Sequence, residues 1–385
     1  MLYNQSMNDL TKRTWVNINL DNIRHNYQCI RKYIGNNTKF LGVVKANAYG
    51  HGAIEVARVL QEENADYLAV ACIDEAIELR QNGIELPILI LGHTPAKYTK
   101  DLIKYNITQC VANLHKASEY NDEAKKLNKK LKVHIKVDTG MSRLGFLVEG
   151  NYFESGIDHI KQAYNLEYLN CEGIFTHFSV SDEYDNCSKE YTLNQFQLFT
   201  KVIKRLENER IRFEIRHCCN TGATITYPQM HLDMVRPGLL LYGYGDENNI
   251  LGLKPCMSLM SRINTIKYFD EGIDISYGRH YRTSSRTRVA TIGIGYADGL
   301  HRNLSNSCSF YCKGKKLPQI GNICMDMCML NVTNFDDIDV EDEVEIFGEN
   351  NSLIELSKIE NSIPYEFMCS ISNRVKRIYI NTKEK

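Results

Sequence analysis

Lys45 and Tyr49 stand four residues apart in VVKANAYGHG, residues 43–52, and their types suit covalent chemistry. The apolar stretch 40–44 ends abruptly in the lysine, followed by Ala46, Asn47, Ala48, Tyr49 and Gly50. A strand that delivers Lys45 to its C-terminal tip puts one amine where barrels and open sheets keep their active sites. Such an amine can form a Schiff base with an aldehyde cofactor, and Tyr49 can reach that cofactor's phosphate. A lone strand-end lysine usually just snorkels into water. His51 between Gly50 and Gly52 marks this one as part of a tight, functional loop.

Arg143, His177, Asn220 and Arg236 likewise sit at or just beyond the end of an apolar run. Any one could be structural, in an ion pair or a satisfied hydrogen bond. Their shared position at strand ends argues for one mouth. The elements that must position them are β-type runs at 40–45, 67–71, 88–92, 108–112, 132–138, 171–177, 213–218 and 233–238. Between them lie amphipathic stretches such as 53–63, 74–81 and 193–209, with apolar residues at helical spacing. Eight strands alternating with helices predict an α/β architecture, a (β/α)8 TIM barrel over residues 12–248. A doubly wound sheet ranks second. From 249 to 385 the pattern changes to strand-like runs with Gly and Asn turns, which predicts a mainly β domain. The strand WVNINL (15–20), in the N-terminal segment 1–19, is expected to join it.

Bulk properties exclude more than they assign. With 385 residues, 43% hydrophobic and 24% charged, the chain fits a soluble protein of two domains. A net charge of −1 gives no reason to expect nucleic acid or a charged membrane as partner. None of the 13 cysteines forms a C-x-x-C pair, and the pairs 308/312 and 324/328 lack the histidines that would complete a metal site. We expect no metal, and reduced thiols in a cytoplasmic protein. No apolar run reaches membrane-spanning length, and residues 1–14 lack a signal's apolar core. The acidic run DDIDVEDEVE (336–345) reads as a solvated turn.

The string around Lys45 resembles the cofactor-lysine motif of alanine racemases, pyridoxal-phosphate enzymes built on a barrel. The resemblance recurs in VDTGMSRLGF (137–146), GIFTHFS (173–179), MVRPGLLLYG (234–243), SYGRHY (276–281), IGYADG (294–299), ICMDM (323–327) and PYEFMCSISNRV (364–375). These follow the family's order over nearly the whole chain.

The resemblance implies that Lys45 carries pyridoxal 5'-phosphate. Tyr49 and Tyr365 would hold the phosphate, with Asn220, Thr221 and the backbone around Gly238 adding donors. The family usually has serine at Thr221, so the hydroxyl survives. Arg236 would face the pyridine nitrogen. An arginine keeps its proton, so the ring nitrogen must accept and stay unprotonated, which suppresses transamination. An Asp there would argue for an aminotransferase.

Racemisation needs bases on both faces of Cα. Lys45 is one, and Tyr277 resembles the other. A phenol is a poor base at neutral pH unless its anion is stabilised; His177, bonded in the family to that tyrosine, offers the relay. Arg143 would bind the substrate carboxylate or neighbour the phenolate. In the family the tyrosine comes from the other subunit, which implies a homodimer with shared active sites. Lys136 occupies a position where relatives often carry a carbamylated lysine; an inward lysine paired with Asp138 or another carboxylate is the other reading. Met325 and Asp326 match the loop beside the substrate methyl, and Asp182 and Tyr296 match the entrance. Asn322 departs from the pattern, replacing a frequent arginine and removing a charge from the entrance.

The function expected is racemisation of L- and D-alanine, supplying D-alanine for peptidoglycan. A serine or broad-specificity racemase is the alternative, although membrane-bound serine racemases carry a transmembrane half not seen in this sequence. A decarboxylase of the barrel family would place an acid at the ring nitrogen. A non-catalytic cofactor-binding protein would need no second base.

Overall fold

The computed structural model describes residues 13–246 and 248–381. Two compact units divide the chain. One comprises residues 22–48 and 52–254, and the other the residues up to Asp21, 49–51 and those from Pro255 onward.

The chain enters through β1 (Thr14–Asn19) and α1 (Leu20–Ile34). All eight predicted barrel strands then form, as β2 (Lys39–Val43), β3 (Tyr67–Val70), β4 (Ile88–Ile90), β5 (Ile107–Val111), β6 (Leu131–Asp138), β8 (Leu169–Phe175), β9 (Ile215–His217) and β10 (Met234–Val235). A two-residue β7 (Phe146–Leu147) hangs on β6. The strands pair in parallel in the order β5-β4-β3-β2-β10-β9-β8-β6, and β5 also pairs with β6, so the sheet closes on itself. Strands β3 and β5 are buried at every residue, as parallel strands covered on both faces must be.

The predicted helices appear as α2 (Ala53–Glu62), α3 (Ile73–Gln81) and, beginning earlier than expected, α7 (Asn186–Glu207). Between the last two lie α4 (Thr99–Lys104), α5 (Leu114–Lys126) and α6 (Phe153–Tyr164). Helix α2 buries Ala53, Val56, Ala57 and Leu60, one stripe at three- and four-residue spacing. Asn113 and Asp185 cap α5 and α7 by accepting from the backbone N–H of Lys116 and Ser188. Two short helices, α8 (Thr221–Thr226) and α9 (Gly238–Leu241), follow β9 and β10.

The second unit is built on β11 (Met257–Phe269), β12 (Thr287–Ile292), β13 (Ser309–Cys312), β14 (Lys315–Ile320), β15 (Cys328–Asn331) and β16 (Glu343–Phe347). These six form a closed antiparallel ring, because the long β11 pairs with β16 along one part and with β12 along another. Strand β1 lies antiparallel to β11 and parallel to the last strand, β17 (Lys376–Ile380), so WVNINL joins this unit as expected. Residues 1–12 of the segments expected at the N-terminus lie outside the described residues, as do 247 and 382–385.

Three details differ from the sequence reading. The strand-like runs read from the sequence of this unit, at 261–269, 288–297, 307–314, 316–325, 342–348 and 374–380, do not include β15, whose four residues, CMLN, alternate buried and half-buried with little apolar contrast. Two helices, α10 (Leu353–Ile359) and α11 (Pro364–Ser370), interrupt the β pattern. The acidic run is a turn only as far as Asp342: Asp337 and Asp342 pair with Lys315 and Lys313, and β16 begins at Glu343.

Candidate active site

After β2 the backbone turns left-handed. Ala46, Asn47, Ala48 and Tyr49 all take φ of 52 to 53°. Such residues cost roughly 1–2 kcal/mol each, so neighbours must hold the turn. Glu75 on α3 accepts from the N–H of both Ala46 and Ala71 at 2.7 Å. Asn47 Oδ1 accepts from Ala53 N at 2.8 Å, and Tyr242 donates its hydroxyl to the Val43 carbonyl at 2.8 Å. Lys45 is thereby fixed at the C-terminal end of β2, on the mouth of the barrel.

Arg236 follows β10 and is 4% exposed. Its Nη1 donates to His217 Nδ1 at 2.8 Å; its Nη2 reaches the carbonyls of Thr176 (2.9 Å) and Cys218 (3.0 Å) and His177 Nδ1 (3.2 Å). Nε–H takes part in none of these bonds. Burial pushes the guanidinium down to about 10, still a cation at neutral pH. Phe175 stacks flat on His217, ring centroids 4.7 Å apart, and lies beneath Arg236 at 5.4 Å and Lys136 Nζ at 5.6 Å.

His177 is held well below the usual imidazole range by burial, and the charges of Arg236, Lys136, Arg143 and Lys45 press it the same way. The barrel thus gathers the cationic residues selected from sequence around one neutral imidazole. Lys136 is buried and, among the described residues, forms no salt bridge. Asp138 instead spends Oδ1 on the N–H groups of Gly140 and Ser142. Burial lowers Lys136, with Arg143 and Arg236 adding to the effect against Cys110 and Asp138. Arg143 and Asp182 are exposed, each in a loop beyond its strand.

Asn220 caps α8: its Oδ1 accepts from Ala223 N at 3.1 Å and from Ser181 Oγ at 2.7 Å. Thr221 Oγ1 accepts from Leu239 N at 2.9 Å, tying α8 to the first turn of α9 beside Gly238. Gly222 has no room for a side chain, since a Cβ there would lie 2.8 Å from the Ser181 carbonyl.

The second unit brings together the other selected residues. Tyr49 and Tyr365 meet with ring centroids 5.7 Å apart. Burial first, and Tyr365 and Cys369 after it, raise the Tyr49 phenol far above its ordinary value, so it remains a hydrogen-bond donor. Tyr277 stands in a turn after β11 and is 74% exposed; Met325 is 54% exposed. The loops of Tyr296 and Met325 are laced together by Tyr296 N to Cys324 O and Ala297 N to Met325 O, both 3.0 Å. Asp326 pairs with Arg374 at 2.6 Å. Asn322, expected to alter the charge of the entrance, is buried and spends its amide on the Tyr277 carbonyl. Among the described residues no group of metal-ligating side chains occurs, and all 13 cysteines are free thiols.

The sequence gives one sign of His217, a histidine at the tip of an apolar run, and none of Glu75 or Thr176. Those two act through groups that only the closed barrel brings near.

Two family models match the chain: alanine racemase, N-terminal domain, over residues 18–246, and alanine racemase, C-terminal domain, over 256–379. Alanine racemase 2 of Caldanaerobacter subterraneus subsp. tengcongensis is 42% identical, covering 97% of this chain and 96% of its own. The solved alanine racemase of Clostridium difficile 630 is 42% identical, with a TM-score of 0.90 and 97% of both chains covered. The alanine racemase of Bartonella henselae, solved with covalently bound pyridoxal phosphate, is 29% identical, with a TM-score of 0.87 over 96% of this chain and 99% of its own. Matched in both halves and in its fold, the chain belongs to the alanine racemase family.

Proposed function

We propose that this protein is a pyridoxal-phosphate-dependent alanine racemase in which Lys45 and Tyr277 are the two bases. The observation that carries this reading is the Arg236 fork, a buried cation whose Nη groups are occupied by fixed acceptors while Nε–H, which bonds to none of the described residues, would serve a ligand. A donor that keeps its proton suits a ring nitrogen that must only accept.

The residues fit the cofactor. Tyr49 keeps its phenolic proton, and Asn220, Thr221 and the N-terminal turn at Gly238 lie together on α8 and α9. A phosphate dianion needs such hydroxyl and backbone donors. When bound, the cofactor would hold the substrate amine and spread the charge left as the Cα proton departs. Lys45 would anchor the cofactor and move the proton on one face. Tyr277 would move it on the other, since a single fixed base returns the proton to the side it left. Neutral His177 would steady the phenolate, and Arg143 would hold the substrate carboxylate. Lys136, pressed towards the neutral amine, is suited to carbamylation, and the anion so formed would orient Arg143. Met325 would border the substrate methyl, with Asp182 and Tyr296 at the entrance.

Tyr277, Met325 and Met327 are exposed on the second unit, which supports a homodimer whose active sites both subunits complete. We read residues 12–248 as the cofactor-binding barrel and 249–385, with the strand near the N-terminus, as the unit that presents Tyr277. No helix among the described residues is long and apolar enough to cross a membrane, in keeping with a cytoplasmic enzyme making D-alanine for peptidoglycan.

The test is the spectrum of the purified protein together with D/L exchange on alanine and serine. A yellow protein that exchanges alanine supports the reading. Serine exchanged equally fast would favour a broad-specificity racemase, and a colourless, inert protein would contradict both.

A further inference from the structure

The turn that carries Tyr277 is strained and needs an outside brace. Ser276 holds φ 70° and ψ 179°, a region almost reserved for glycine, and Gly278 and Arg279 follow at φ 73° and 57°. Such conformations persist only where the surroundings enforce them. The phenol of Tyr277 supplies no brace of its own: its hydroxyl makes no hydrogen bond among the described residues, and the side chain is exposed. Where that phenol stands is therefore decided by the backbone beneath it.

Asn322 holds this backbone. The residue is 5% exposed, and its Nδ2 donates to the Tyr277 carbonyl at 2.7 Å. A carbonyl can only accept, so the contact fixes which end of the amide is nitrogen. The main-chain carbonyl of Asn322 accepts from Ser276 Oγ at 2.6 Å. His280 Nδ1 lies 3.1 Å from Asn322 Nδ2 and 3.3 Å from its Oδ1. One residue thus grips the turn at Ser276, Tyr277 and His280.

Asn322 is itself anchored. Gly321 N donates to Asn306 Oδ1 at 2.6 Å, and Ile323 N to Ser305 Oγ at 2.9 Å. Gly321, at φ 72°, lets the segment lie directly on the turn, since a Cβ there would be 2.8 Å from the Ile275 carbonyl.

We propose that Asn322 is a positioning residue for Tyr277, fixing the backbone from which the phenol meets the Cα proton; this rests on the reading of Tyr277 as a base. Asn322 need not touch substrate. Its effect falls on one face of Cα only, which sets it apart from a residue that merely packs the β unit.

Two variants test this. Asn322→Asp keeps the shape but replaces the N–H that meets the Tyr277 carbonyl with an acceptor. Asn322→Ala removes the contact without adding charge, and decides the matter if the Asp variant does not fold. The measurement is solvent deuterium exchange into each enantiomer of alanine by the holoenzyme, beside Tyr277→Phe. Exchange at the face served by Tyr277 should fall ~10- to 100-fold, as for a reacting group displaced by about 1 Å, and exchange at the face served by Lys45 should change less than ~2-fold. Equal slowing at both faces, or at neither, overturns the proposal. Tyr277→Phe separates this outcome from failure of the reading beneath it. If that variant slows both faces equally, Tyr277 is not the base and both ideas fall. If it slows one face and the Asn322 variants do not, only the role of Asn322 falls.

Discussion

Arg236 Nη1 meets His217 Nδ1 at 2.8 Å, and this bond sets the tautomers of the imidazoles beyond it. A guanidinium can only donate, so His217 Nδ1 is bare and its proton sits on Nε2. Nε2 lies 3.0 Å from His134 Nδ1, which must therefore accept. His134 then carries its proton on Nε2, buried and without a partner among the described residues. On the other side, His177 Nδ1 accepts from Nη2, which leaves its proton on Nε2, free to face a ligand or a phenol. One buried cation orients three neutral imidazoles.

Those imidazoles make folding sensitive to acid. Burial lowers His134 to about 3, with Arg236 adding to it, and also holds His217 and His177 well below the usual range. In the unfolded chain a histidine titrates near ~6.5, so below that pH the unfolded state binds more protons and stability falls as pH falls. For His134 the loss runs from about 6.5 down to about 3 and reaches roughly 2 kcal/mol by pH 5. Denaturant unfolding at pH 7.5 and pH 5 checks this above the main carboxylate range. Equal stability at both values would mean that the imidazoles are not buried neutral.

Lys45→Ala should abolish the cofactor's covalent absorbance and lower racemisation by several orders of magnitude, because anchor and base are lost together. Absorbance spectra and turnover report the two effects separately. Near-normal turnover would contradict the assignment.

Arg236→Glu should raise side transamination per turnover while slowing racemisation, because an acid can protonate the ring nitrogen. It also leaves the carbonyls of Thr176 and Cys218 without their donor, at about 1–3 kcal/mol each. The partition between products is independent of how much protein is folded. An unchanged partition would show that Arg236 does not touch the ring.

Carbamylation of Lys136 joins its neutral amine to carbon dioxide through a new N–C bond, with loss of one proton. Protein equilibrated with 13C-bicarbonate should show a carbamate carbon resonance that Lys136→Arg lacks. Absence of the signal from the unaltered protein, or its survival in the variant, would rule the modification out.

The barrel was legible because each strand is a short apolar run and the spacing between runs matches helices. The mouth was legible because Lys45, His177 and Arg236 lie within two residues of strand ends. The left-handed turn after Lys45 was not. Alanine favours the right-handed helix, and Glu75, Asn47 and Tyr242, acting from outside or across the turn, hold it against that preference. Asn322 reads from sequence as a missing charge. Its amide gains its role only when β14 and the loop after it fold onto the Tyr277 turn. Helix α11 was hidden because its seven residues are too few to show a period, although Pro364 at its first turn marks the start.

Tyr277→Phe tests the two-base account most directly. Racemisation must slow in both directions together, because the equilibrium constant is one, so the diagnostic is solvent deuterium exchange into each enantiomer. If Lys45 faces the Cα hydrogen of D-alanine, deuterium should enter D-alanine without inversion, while L-alanine exchanges far more slowly. Equal retention of exchange from both enantiomers would contradict the account, leaving Tyr277 a surface residue of the β unit and another group as the second base.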